Sequence, residues 1–104
     1  MTSPLDSIQI FAAERGDEKA FIGRMVFGPI PADKIEEDIV AIGDWTRKTF
    51  PEKFQYAQAV KMTRDDDVLK GVMVTFAPFS DETAAKVWMD IASEIVETGE
   101  YPIR

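Results

Sequence analysis

The sequence predicts an α+β domain: two successive strand–strand–helix units forming a four-stranded antiparallel sheet with two helices on one face. Three observations predict it. Apolar residues alternate along IQIFAA, FIGRMVFG, FQYAQAVKM and VLKGVMVTFAP, as half-buried strands require. They recur at three- and four-residue spacing over 33–48 and 81–98, as amphipathic helices require. The elements also come in the same order twice, and at 104 residues the chain reads as a single domain over 1–104.

Taken in order, IQIFAA (8–13) is the first strand, and ERGDEK, with a glycine among charges, suits a hairpin tip. FIGRMVFG (21–28) is the second strand, and Pro29 and Pro31 stop it because proline cannot donate to a central ladder. Ile35, Ile39, Ile42, Thr46 and Thr49 then share one face of a helix that Pro51 ends, with Trp45 beside the stripe. The second half runs through FQYAQAVKM (54–62), the tip TRDDD and VLKGVMVTFAP (68–78). Ser80 is placed to cap the second helix, with Asp81 and Glu82 favouring its positive end. Ala84, Trp88, Ile91 and Ile95 form its expected buried stripe, and Gly99 stands where a left-handed terminator is wanted.

Laying 8–51 on 54–99 reads as an internal repeat. Gln9 meets Gln55, Ala13 meets Ala59, Gly23 meets Gly71, and Met25-Val26 meets Met73-Val74. One more inserted residue brings Phe27 to Phe76 and Pro29 to Pro78, and the helix stripes then match at Ile35 with Ala84, Ile39 with Trp88 and Ile42 with Ile91. Short connections make FIGRMVFG and VLKGVMVTF the central strands, with IQIFAA and FQYAQAVKM at the edges. A ferredoxin-like fold in circularly permuted order has this succession of elements, and such a fold hosts many unrelated functions.

Alternation divides each strand between two faces. The charges at Arg24 and Lys70 assign Ile22, Arg24, Val26, Lys70, Val72 and Val74 to the face away from the helices. Phe21, Gly23, Met25 and Phe27, with Leu69, Gly71, Met73 and Thr75, are then the core set, joined by Ile8, Ile10, Phe54, Tyr56 and Val60 from the edges. Gly23 and Gly71 read as packing positions that admit a large neighbour. The open face would also carry Gln9, Phe11, Ala13, Gln55, Ala57, Ala59 and Lys61: apolar, with basic but no acidic residues. Such a contiguous patch marks an interaction surface. Its candidate interface or ligand-binding residues are Phe11, Ile22, Arg24, Val26, Lys61, Lys70, Val72 and Val74.

Composition narrows function more by exclusion. The chain has no Cys and no His, which removes thiolate chemistry, disulfides and the commonest base and metal ligand. Neither a cofactor nor a metal is expected. Asp65-Asp66-Asp67 reads as a solvated turn, lacking the alternating ligands, Gly and terminal Glu of a calcium loop, and no GxGxxG or GxxxxGK occurs. The formal charge of −7 opposes nucleic acids and anionic lipid, and no apolar run is long enough for a bilayer, so a cytoplasmic protein without membrane contact is expected. The expected function is non-catalytic protein association, as a homodimer through the open face or with another protein bearing acidic rim residues. Two alternatives stay open. One is a small-molecule-binding domain or cofactor-free enzyme at the sheet interface, with Arg24 holding an anion and Tyr56 as polar handle. The other is an acidic inhibitor that mimics nucleic acid.

Overall fold

The computed structural model describes residues 5–99. It contains β1 (Leu5–Arg15), β2 (Glu18–Ile30), α1 (Ile35–Thr49), β3 (Phe54–Arg64), β4 (Asp67–Phe79) and α2 (Glu82–Thr98). One sheet runs in the order β1-β2-β4-β3, every neighbouring pair antiparallel, so the central and edge strands are those expected. All four strands extend beyond the predicted segments to the hairpin tips. Gly16 turns the first hairpin at φ +66°, and Asp65 and Asp66 turn the second with φ of +47° and +69°, the paired left-handed conformation that matches strand twist.

The two halves correspond at a constant separation of 49 residues in their strands. Gly28–Pro29 and Ala77–Pro78 are both cis, and each pair lies at a register shift between β2 and β4. Asp6 in β1 and Gln55 in β3 are each an extra residue opposite a central strand. Lys53 Nζ and Gln55 Nε2 donate to the carbonyls of Pro78 and Ala77 at 2.7 and 2.9 Å, holding the second of the central irregularities against β3.

This spacing corrects the expected alignment. Met25-Val26 and Met73-Val74 look equivalent, but they are 48 residues apart and therefore one residue out of step with Phe27 and Phe76. Met25 pairs with Val74 and Phe27 with Val72, and all four are fully buried in the main core with Phe76, Ile42 and Met89. That core fills the space between the sheet and both helices, so both helices lie on one face. The expected core set is right for Phe21, Gly23, Met25, Phe27 and Phe54. It is inverted for Leu69, Gly71, Met73, Thr75, Tyr56 and Val60, which occupy the opposite face.

Each helix packs mainly on the strands of the other half, α1 on β3 and β4 and α2 on β1 and β2. Helix α1 buries Ile35, Ile42 and Thr46, and the Thr46 hydroxyl donates to the Ile42 carbonyl at 2.7 Å. Helix α2 buries Ala85, Met89, Ala92 and Val96, one position later than the expected stripe. Trp88 is half-buried, while Ile91 and Ile95 are exposed. Both stripes have helical spacing, and the sheet decides between them: a Cβ at Gly23 would meet the Met89 sulfur, so the bare backbone there admits Met89. The cap is Asp81 instead of Ser80, its carboxylate accepting from the Ala84 N–H at 2.7 Å. Gly99 ends the helix extended, at φ −87° and ψ −175°, so no left-handed residue terminates it.

Candidate functional site

The face turned away from the helices is built by the alternate residues of four strands whose register is continuous. Across its middle, Gln9 of β1 stands opposite Arg24 of β2, Arg24 opposite Thr75 of β4, and Thr75 opposite Tyr56 of β3. The next row is Ser7, Val26, Met73 and Gln58. Val26, Met62 and Met73 form a second, smaller buried cluster with Val60 and Leu69 packed against it. On the other side of the polar row, Phe11 pairs with Ile22, and the Arg24 guanidinium lies 4.5 Å from the centre of the Phe11 ring. An aromatic platform holds this cation in the middle of the face, which lowers the cost of partly desolvating it.

Two polar atoms in the middle row have no partner. Arg24 Nε and Thr75 Oγ1 are buried without a hydrogen bond among the described residues, although their residues face one another in register. Thr75 is only 3% exposed. An unsatisfied buried polar group costs about 1–3 kcal/mol, so the two adjacent ones make the middle of this row the costliest polar spot on the face. Tyr56, at the end of the same row, remains 44% exposed.

Four of the expected site residues are therefore together on the open face: Phe11, Ile22, Arg24 and Val26. The other four are not. Val72 and Val74 are fully buried beneath the helices, because the correct register of β4 turns them inward. Lys61 and Lys70 stand opposite one another, in alternation with Ala59 and Val72, and so belong to the helix side of the sheet, where they are exposed. Lys70 is a charged residue on the core side near a strand end, and for that reason its charge misassigned the face. The residues missed are Thr75, Met73, Met62 and Gln58. The signal that finds them is the equal length of the two hairpins, which aligns the tip Gly16-Asp17 with Asp65-Asp66 without a gap.

No helix among the described residues is long and apolar enough to cross a membrane, and no three metal-ligating side chains cluster there. The acidic residues Asp65, Asp66 and Asp67 are exposed at the second hairpin tip, and even Asp67 lies eight residues along β4 from Thr75 (75 − 67). Comparison with known proteins adds no assignment: no family model matches the chain, and neither a curated protein nor a solved structure does.

Proposed function

We propose that the protein acts by association through its open sheet face, pairing first with a second copy of itself. The observation that carries this reading is the adjacent pair of buried, unpartnered atoms, Arg24 Nε and Thr75 Oγ1, set beside the apolar cluster of Val26, Met62 and Met73. On pairing, a small outward turn of the Arg24 and Thr75 side chains would let a facing sheet supply what they lack, since a second copy presents the side-chain carbonyls of Gln9 and Gln58 and the Tyr56 hydroxyl on the same surface. Two sheets stacked about 10 Å apart would bury the apolar remainder. Charge favours the same geometry. Helix α1 carries Glu36, Glu37, Asp38 and Asp44 and helix α2 carries Glu82, Asp90, Glu94 and Glu97, so stacked sheets point these acids away from each other. In this reading the topology is a ferredoxin-like fold in circularly permuted order.

Sedimentation equilibrium tests it. The wild-type chain is expected to be a dimer at about 50 μM, with affinity little changed by salt, because apolar burial and neutral acceptors drive it. Tyr56→Glu, at an exposed position of the face, is expected to shift it to monomer without altering the circular dichroism spectrum. A wild-type chain that is monomeric at that concentration overturns the reading.

The middle row also favours a second reading. Arg24, Thr75 and Tyr56 lie side by side, an arrangement suited to holding a small anion by its oxygens. Titration with small carboxylates and inorganic phosphate, followed by amide shifts at Arg24 and Thr75, distinguishes it from self-association.

A further inference from the structure

A second unpartnered apolar surface lies on α2, in the helix layer. Beyond its buried stripe the helix keeps Ala84, Val87, Ile91 and Ile95 outside, with Val87 and Ile91 55% and 56% exposed. Trp88 stands between the two stripes, its ring held against Phe50, Phe76 and Phe79 at centroid distances of 5.4, 5.0 and 5.3 Å. A shallow groove follows the first turns of the helix, lined by Asp81, Glu82, Ala84, Val87, Trp88 and Ile91. Positions 84, 87, 88, 91 and 95 have the spacing with which one helix receives another, and a rigidly held Trp at their edge is the kind of anchor such contacts use.

Charge selects the occupant. The cap and body of α2 carry carboxylates at Asp81, Glu82, Asp90, Glu94 and Glu97 against one lysine, Lys86, which is paired with Glu82 at 3.3 Å. A second copy presenting the same helix would set two acidic rims against each other, which opposes association. Anionic lipid and nucleic acid are opposed on the same ground. We infer that this flank of α2 docks a basic amphipathic helix of another protein. Val87, Trp88 and Ile91 take its apolar stripe, and Asp90 and Glu94 meet its lysines and arginines. The flank is on the opposite side of the sheet from the open face, so both surfaces can be occupied at once, and the docking stands whether or not the sheet face self-associates.

The test uses the full chain and a fluorescein-labelled helical peptide with a leucine stripe flanked by Lys and Arg, beside the same peptide with Glu at every basic position. Fluorescence anisotropy is expected to show saturable binding of the basic peptide alone, weakened about fivefold or more when salt rises from roughly 50 to 500 mM. Val87→Asn/Ile91→Asn, both exposed and therefore compatible with folding, is expected to weaken it about tenfold or more. Asp90→Asn/Glu94→Gln is expected to lower affinity at low salt and flatten the salt dependence. Equal binding of the acidic peptide, or unchanged binding to Val87→Asn/Ile91→Asn, overturns the inference. So does a change in oligomeric state caused by that double variant, since it would place a second copy on the flank.

Discussion

At Gly23 the room left by a missing side chain is filled from the helix layer. An added Cβ would lie 2.5 Å from the sulfur of Met89, which is fully buried, so the Met89 side chain would have to shift within the core. Gly23→Ala is expected to cost about 1–3 kcal/mol by overpacking. In a Met89→Ala background the same change should cost markedly less, and urea melts of the four chains measure the coupling. Thr75 makes the opposite case. Its hydroxyl is buried and unpaired, so Thr75→Val, which keeps the shape and suits a strand, is expected to stabilise the monomer by about 1 kcal/mol. The same change is expected to weaken self-association several-fold in sedimentation, because it removes a group that a facing sheet would satisfy. Stabilisation without weaker association would separate the orphaned hydroxyl from the interface.

At the level of elements, the second hairpin holds two aspartates in left-handed backbone next to a third acid. Asp66→Gly relieves both the backbone cost and part of the like-charge crowding, and is expected to raise stability by about 1 kcal/mol, some 4–8 °C in the thermal midpoint. At the other end of β4, Asp81→Ala removes the cap of α2, and a loss of about 0.5–2 kcal/mol is expected in the same melts. The order of elements and the central position of β2 and β4 were legible in the sequence, because strand and helix periods differ and the prolines punctuate them. Face assignment was legible only where one period was available. Helix α1 has one apolar stripe, which the spacing places correctly at Ile35, Ile39, Ile42 and Thr46 but carries one turn too far, to the exposed Thr49; α2 has two adjacent stripes, and the choice between them depends on Gly23, a residue 66 positions away from Met89. In β4 a strand rich in Val and Met offers apolar residues on both faces, so a single lysine near its end outweighed a register that only the paired hairpins define. Half of the candidate site followed from that parity.

At the scale of the whole molecule, the exchange of helices between halves makes the fold cooperative. Because α1 covers β3 and β4 and α2 covers β1 and β2, a half on its own lacks the helix that would bury its hairpin. Fragments 1–51 and 52–104 are each expected to be unfolded by circular dichroism, and to gain helix and sheet signal on mixing. A fragment that folds alone as a monomer would contradict that dependence. The edges of the sheet bear on how large any assembly becomes. A long, regular outer strand is a template on which further chains can add their own strands. Here the extra residues Asp6 and Gln55 interrupt both outer strands near their starts, at corresponding places in the two halves. The regular template on either flank is thereby shortened to the nine residues beyond the irregularity, 7–15 and 56–64, which weakens sideways growth into a fibre relative to closed particles.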